Sequence, residues 1–330
     1  MQENFWQTQT KPFYALAPME DVTDTVFREI IAGISDPSCL NLYMTEFVST
    51  DGLCHDIARD RVIHRLIRKD SERELHRKNG AKLVAQIWGT NPERYQQAIK
   101  EVLNEMDFDG IDINMGCPVA KVVKKGSCSG LINTPSLAKE IILAAKEVSN
   151  VPVSVKTRIG VEEVVTEEWI NHLIDAEPAA ITLHGRMQIQ MSDGLADWNE
   201  IEKARKVRDQ RGVNIPLIGN GDVKSMVEAD KRIADHNLDG VMVGRGIFHN
   251  PWLFNREQTE HGPKERLALL WKHASNYHDM WEGTKHFLIL RRFFKIYAQG
   301  FEGASTLRGE IMSTKGLSEV EEILKRYEFL

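Results

Sequence analysis

Over the first 250 or so residues, short apolar runs alternate with amphipathic stretches, a rhythm that predicts buried strands each followed by a helix. The apolar runs fall at residues 13–17, 42–46, 82–87, 110–114, 153–157, 180–184, 215–219 and 240–243. Helical spacing of apolar positions marks residues 24–31, 92–105, 136–148, 167–175, 199–208 and 223–234. A repeated strand-then-helix order calls for a parallel sheet, and eight repeats predict an α/β fold closed into a (β/α)8 TIM barrel. The competing architecture is an open doubly wound sheet. Its glycine fingerprint after the first strand is replaced here by Ala17-Pro18-Met19-Glu20.

Beyond Pro251 the pattern turns wholly helical. Residues 265–280 and 285–300 are separated by Trp281-Glu282-Gly283-Thr284, and 318–327 form a third segment. The expected organisation is a barrel over residues 1–254 and a small all-helical C-terminal domain over 255–330. The polar stretch 71–79, with Arg73, His76, Arg77 and Lys78, reads as a solvated loop before the third strand.

Composition narrows the partners. Forty-two basic against 48 acidic residues give a net charge of -6, so a nucleic-acid surface would have to be a local patch. The four cysteines, Cys39, Cys54, Cys117 and Cys128, form neither a CxxC pair nor a zinc-spaced cluster with histidine, which predicts free thiols, no metal and a reducing cytoplasm. Residues 1–7 lack a basic region followed by an apolar stretch, and no run approaches the roughly 18 apolar residues of a membrane span. A soluble, unexported monomer with no membrane partner is expected.

In a barrel of this kind, chemistry sits at the carboxyl ends of the strands. Gln86 ends the third, Asn114 and then Cys117 follow the fourth, Lys156 ends the fifth, and His184-Gly185-Arg186 ends the sixth. The stretch Asn114-Met115-Gly116-Cys117-Pro118 sets a thiol where a strand becomes a constrained turn. With an unperturbed pKa of about 8.5 such a thiol is mostly protonated near neutrality and can protonate a carbanion-like carbon. The bland alternative is a small buried hydrophobe.

Strands seven and eight run into Gly219-Asn220-Gly221-Asp222-Val223 and Gly244-Arg245-Gly246-Ile247. Glycine lets backbone N–H groups approach an anion, and the following helix start favours negative charge. Flavin mononucleotide fits this constellation. Its phosphate would occupy these two loops, while Ala17, Pro18 and Met19 would offer backbone groups and an apolar face to the ring. Gln86 would both donate to and accept from the pyrimidine edge, and Lys156 would place positive charge near N1. Without a flavin, Lys156 could instead form the Schiff base of a barrel aldolase.

The ordered motifs resemble those of the tRNA-dihydrouridine synthases along nearly the whole chain. The resemblance rests on Ala17-Pro18-Met19-Glu20 with Asp24, Thr45-Glu46, Gln86, Asn114-Met115-Gly116-Cys117-Pro118, and Lys121-Val122 with Gly126. It continues through Lys156-Thr157-Arg158-Ile159-Gly160, His184-Gly185-Arg186 with Ala196-Asp197-Trp198, Asn220-Gly221-Asp222 and Gly244-Arg245-Gly246. It implies FMN-mediated, NADPH-dependent reduction of the C5–C6 bond of particular tRNA uridines by a TIM barrel followed by a helical tRNA-binding domain. Carried over by position, it makes Cys117 the acid that protonates C5 after hydride reaches C6. Lys156 and His184 would contact the flavin, Gln86 its ring, and Asn220, Gly221, Asp222, Gly244 and Arg245 its phosphate region. Asn114 and Arg186 would lie nearest the substrate base or the tRNA.

Basic residues at two places would serve the tRNA: Lys121, Lys124 and Lys125 on the thiol loop, and Arg291, Arg292 and Lys295 interleaved with Phe293, Phe294 and Tyr297. The second group also reads as the solvated face of an ordinary amphipathic helix. The chain departs from the family pattern twice. Cys128 stands where the family commonly has glycine, and Met187-Gln188-Ile189-Gln190-Met191 is less polar than the usual threonine-rich equivalent. A flavin barrel acting on a free pyrimidine, such as a dihydroorotate dehydrogenase-like enzyme, and a non-catalytic RNA-binding scaffold are the other readings.

Overall fold

The computed structural model describes residues 4–257 and 259–329. Met1, Gln2 and Glu3, on which part of the reading of the N-terminus rests, lie outside them. Eight parallel strands close into a barrel: β1 (Phe13–Leu16), β2 (Leu42–Ser49), β3 (Lys82–Trp88), β4 (Gly110–Met115), β5 (Val153–Arg158), β6 (Ile181–His184), β7 (Leu217–Asn220) and β8 (Gly240–Val243). Neighbours in sequence are neighbours in the sheet, and β1 closes on β8 with Phe13 opposite Gly240 and Leu16 opposite Val243. The eight-strand expectation is met. Only β2 runs appreciably longer than its apolar run, because a register shift between Met44 and Phe47 lets it continue alongside β3.

Strand residues alternate between two environments, as a period of two requires. One set faces the helices: Tyr14 and Leu16, Leu83 and Ala85, Ile111 and Ile113, Val153 and Val155. The other fills the barrel: Phe13, Ala15, Met44, Val84, Ile218 and Met242, joined by Phe5 and Trp6 of the N-terminal turn. Along β3, β4 and β5 the same inward phase carries Gln86, Asp112, Asn114, Ser154, Lys156 and Arg158. Strand phase turns these side chains inward, and their position toward the carboxyl ends of the strands makes that end of the barrel polar.

The 71–79 stretch corrects the sequence expectation. It is a helix, Asp70–Asn79, ended by Gly80 in the left-handed conformation (φ 65°). Its inward face is polar: Glu72 and His76, one turn apart, are fully buried. Glu72 accepts from Arg28 at 2.6 and 2.9 Å and from the Thr25 hydroxyl at 2.5 Å. His76 stacks on Tyr43 with ring centres 4.2 Å apart.

After β8 the chain forms helices Pro263–Trp281, Arg291–Tyr297, Ala304–Ser313 and Leu317–Arg326. The third was not expected. Its buried side chains are only Ala304, Leu307 and Ile311, and Gly309 interrupts it, so its apolar stripe is thin. These helices share one apolar core with the outside of the barrel, where Phe293 packs on Phe27 at 5.0 Å. Their junction is also ionic. Lys285 Nζ lies 2.7 Å from Glu46 Oε2 and 3.7 Å from Asp24, with all three side chains at most 5% exposed. Among the described residues, no helix is long and apolar enough to cross a membrane.

Candidate active site

The ends of β1 and β5 to β8 surround a cavity of about 480 Å³, within the size range of small-ligand sites. Ala17, Pro18 and Met19 form one wall, Lys156 and His184 another, and Asn220, Gly221, Asp222, Gly244 and Arg245 the third. All the residues expected to hold a cofactor thus line one cavity except Gln86. Arg158, Arg186, Lys224, Phe248 and His249 line it too.

The loop after β7 is shaped for close approach. Gly221 has φ 137°, and a Cβ there would come within 2.4 Å of Ala196 Cβ, so only glycine fits. Asp222 follows at φ 53°, and its carboxylate is fully occupied. It accepts from Arg186 Nη2 with both oxygens at 2.7 Å and from the Ala196 N–H at 2.7 Å. Arg245, which begins the turn after β8, is exposed, and Lys224 stands exposed on the adjacent loop. Two glycine loops flanked by exposed cations suit a phosphate.

Deeper in, the charges are tuned by burial. Lys156 is held down to about 8 by desolvation and by Arg158. His184 is pushed well below its ordinary value by burial and by the cations around it, so it is neutral at physiological pH. Arg186 Nη1 lies 3.2 Å from His184 Nε2. A guanidinium can only donate, so Nε2 accepts and Nδ1 carries the proton. This donor set fits a flavin mononucleotide: exposed cations at a glycine cradle for the phosphate, and a lysine beside an apolar wall for the ring.

The thiol loop adjoins the cavity. Asn114 Oδ1 accepts from the backbone N–H of Gly116 (3.0 Å) and Cys117 (2.9 Å), forming the turn that carries the thiol. Asn114 Nδ2 donates to Gln86 Oε1 at 2.9 Å, and Gln86 Nε2 donates to Asp112 at 2.8 Å. Ser154 holds the other Asp112 oxygen at 2.7 Å. Burial raises Asp112 to about 6 against these hydrogen bonds. Gln86 and Asn114 therefore spend their amides inside the barrel, supporting the thiol turn.

Cys117 is half-buried. The neighbouring Cys128 thiol pulls it down to about 7 against the cost of burial, with help from the Val119 N–H and Arg158. Cys128 is correspondingly pushed up. The thiol is thus more acidic than an isolated cysteine. Arg158, not singled out from sequence, ties the region together: its Nε donates to the Gly116 carbonyl at 2.7 Å and its Nη1 to the Met187 and Met191 carbonyls at 3.0 Å each. The available signal was its position two residues beyond Lys156 on the same strand face.

The basic residues separate into two kinds. Lys121, Lys124 and Lys125 are exposed on the thiol loop. Arg291 instead donates to the Ser313 and Thr314 carbonyls (3.3 and 3.0 Å), and Arg292 to the Glu20 carbonyl (3.2 Å). Lys295 is exposed, but Phe293, Phe294 and Tyr297 are buried and form core rather than a stacking platform. Arg186, at 2% exposure, also donates to the Gly194 and Asp193 carbonyls (2.6 and 3.2 Å), anchoring the 187–195 loop. Glu20, Asp21 and Glu46 bring carboxylate oxygens within 4.8 Å of one another, yet each meets a cation: Arg65 at 2.6 Å, Arg292 at 3.6 Å and Lys285 at 2.7 Å.

A closed parallel barrel with a phosphate-ready cradle after β7 and β8, a half-buried lysine and an acidified thiol at its mouth defines a TIM-barrel oxidoreductase of the flavin type. The chain belongs to the dihydrouridine synthase family, whose description, "Dihydrouridine synthase (Dus)", matches residues 15–329. It is accordingly an enzyme of the FMN-dependent oxidoreductases that act on CH–CH bonds of uridine-type pyrimidines. It is 42% identical over 331 residues to a "Probable tRNA-dihydrouridine synthase" of Staphylococcus epidermidis, covering 99% of this chain and 97% of that protein. It is 40% identical, over 99% of this chain and 98% of the other, to a "Probable tRNA-dihydrouridine synthase 2" of Bacillus subtilis. Among solved structures, a morphinone reductase mutant in complex with tetrahydroNAD shares the fold, with a TM-score of 0.52 and 14% identity over 76% of this chain and 87% of that one.

Proposed function

We propose that this protein reduces particular uridines of tRNA to 5,6-dihydrouridine, with NADPH as the reductant. The observation that carries this reading is the convergence of Lys156, His184, the Asn220–Asp222 turn and Arg245 on one cavity beside the Cys117 loop. When bound, FMN supplies the hydride that adds to C6 of the uracil ring. Lys156 provides a cationic partner for the electron-rich ring, and Arg245 with the Gly221 and Gly244 loops holds the phosphate. Cys117 gives its proton to C5, where hydride addition leaves enolate character. Asn114, through its two hydrogen bonds to the turn, keeps that thiol in place. Arg186 and Arg158 brace the loops from which the substrate base is met.

A uridine stacked in an RNA loop cannot reach a barrel mouth, so the target base leaves its stack. Residues 1–254 form the catalytic unit in this reading, and 255–330 the tRNA-binding unit that orients the RNA. The exposed lysines Lys121, Lys124 and Lys125 meet phosphates near the target. Four free thiols suit a cytoplasmic setting, where tRNA and NADPH are both found.

The test is mass-spectrometric mapping of dihydrouridine in unmodified tRNA incubated with the FMN-loaded protein and NADPH, using Cys117→Ala as the control. The native chain is expected to modify a defined position. The variant should keep its flavin and its reduction by NADPH while losing most product. A protein that takes up no FMN on reconstitution would overturn the reading.

A further inference from the structure

Asp112 sits inside the barrel at the centre of a three-strand register, with Gln86 on β3 and Ser154 on β5 both opposite it. Asn114, two residues further along β4, points the same way. Asp112 and Gln86 are fully buried and Asn114 is nearly so, so these groups must satisfy one another. The Asp112 carboxylate has no part in the proposed reaction and does not line the cavity.

The hydrogen bonds among these groups run in one direction. Asn114 faces the backbone N–H groups of Gly116 (3.0 Å) and Cys117 (2.9 Å). A backbone N–H only donates, so Asn114 must turn Oδ1 to them and Nδ2 to Gln86. Gln86 then has to offer Oε1 to Asn114 at 2.9 Å, which leaves Nε2 aimed at Asp112 at 2.8 Å. Burial raises Asp112 only to about 6, so at neutral pH it is an ionised carboxylate, which only accepts. Ser154 fills its other oxygen at 2.7 Å, and Lys156, opposite Asn114 on β5, adds attraction from a distance. Both ends of the chain are groups with no choice of polarity, and each of the two amides between them has one orientation.

We propose that Asp112 is a positioning residue: by accepting from Gln86 it fixes the way the Gln86 and Asn114 amides face, and through them it holds the turn that carries Cys117. The inference rests on Cys117 being the acid of the proposed reaction. Without an acceptor at position 112, nothing distinguishes the two orientations of Gln86, since one amide atom is stranded in either. When Gln86 turns Nε2 to Asn114, Asn114 answers with Oδ1, and the acceptor leaves the Gly116 and Cys117 N–H groups. The carbonyls of that turn are held separately, Gly116 by Arg158 Nε at 2.7 Å and Cys117 by Ser129 Oγ at 2.9 Å. The turn therefore loosens on its N–H side and does not come apart.

The test compares Asp112→Leu, which removes the acceptor, with Asp112→Asn, which keeps one: its Oδ1 can face Gln86 while its Nδ2 donates to the Ser154 hydroxyl. In the FMN-loaded protein, retained flavin and its reduction by NADPH establish that each variant is folded. Hydrogen exchange of the Gly116 and Cys117 amides, resolved to single residues by mass spectrometry, is expected to quicken about tenfold or more in Asp112→Leu and to stay near native in Asp112→Asn. Single-turnover flavin reoxidation by tRNA should slow by about 10- to 100-fold in the leucine variant, with tRNA affinity unchanged, and be largely rescued by asparagine. Because Asp112 acts through Gln86, adding Asp112→Leu to Gln86→Leu should slow reoxidation no further, and this apolar pair serves where Asp112→Leu alone fails to fold. Native exchange at both amides in Asp112→Leu overturns the proposal. So does an asparagine variant as impaired as the leucine one, which would make the charge rather than the acceptor the point, and so does a further loss in the double variant. Exchange needs no tRNA, so a native chain that reoxidises no flavin with tRNA fails the reading of the reaction and leaves the hold of Asp112 on the turn to be decided by the two amides.

Discussion

Asn114 Oδ1 accepts from the Cys117 N–H at 2.9 Å while the same side chain donates to Gln86 at 2.9 Å, so one amide links the thiol turn to the polar interior of the barrel. Removing it leaves the turn free to shift without touching the cofactor cradle. Asn114→Ala is expected to slow tRNA-dependent flavin reoxidation by about 10- to 100-fold, the scale of a misplacement near 1 Å. Flavin reduction by NADPH should change little. Stopped-flow absorbance of the two half-reactions separates them, and equal losses in both would show that Asn114 supports the whole site rather than the thiol.

The buried Arg28–Glu72 pair joins the helix Thr25–Ile34 to Asp70–Asn79 with both side chains fully buried. Truncating one partner strands the other charge away from water. Glu72→Ala is expected to cost about 3–5 kcal/mol of stability, seen as a lower midpoint in urea unfolding. The double change Arg28→Met with Glu72→Leu should cost much less than twice that, since neither charge is then left alone. A single variant within experimental error of the native chain would show that water reaches the pair.

The same pair explains why part of the fold escaped the sequence. A strand or helix is legible when its buried face is apolar, as in Leu83, Ala85 and Ile87 of β3. The face of Asp70–Asn79 is buried through Glu72 and His76, which in a linear reading look like solvent-facing residues, and their partners Arg28 and Tyr43 are remote in sequence. The lining of the cavity was legible because each contributor sits at a strand end, a position the eight-fold rhythm assigns. Arg158 and the internal duty of Gln86 were not. Both depend on which neighbouring carbonyl or amide a side chain meets, which strand phase alone does not determine.

Lys156 predicts a pH dependence with a defined sign. In the cofactor-free protein, burial and Arg158 hold it at about 8, below the roughly 10.4 of an exposed lysine. Between those values the unfolded chain binds the proton and the folded one does not, so this group's contribution to stability rises with pH across the window. Below pH 8 both states are protonated and the penalty stands in full. An anionic or electron-rich ligand beside Lys156 favours the ammonium, so binding takes up a proton above pH 8. FMN affinity, followed by quenching of its fluorescence, should therefore fall as pH rises through 8, by up to about tenfold per unit. Lys156→Met should bind more weakly at neutral pH and lose the dependence, and a flat native profile would remove Lys156 from the cofactor site.

The two sets of basic residues should differ in how they answer to salt. Lys121, Lys124 and Lys125 are exposed beside Cys117, whereas Arg291 and Arg292 donate to protein carbonyls and Arg292 also sits 3.6 Å from Asp21. A cation already paired within the protein releases few counterions when RNA arrives. Each phosphate neutralised by a free one contributes roughly 0.7 to 0.9 to the slope of log affinity against log salt. Changing the three loop lysines to serine should therefore make the slope for tRNA shallower by about 2. Arg292→Ala should move it by well under 1 while lowering stability, because it removes a tie between the C-terminal helices and the loop after β1. Filter binding across a salt series gives both slopes. An unchanged slope in the triple variant would mean that the RNA backbone runs elsewhere, and that the lysines flanking the thiol serve only solubility.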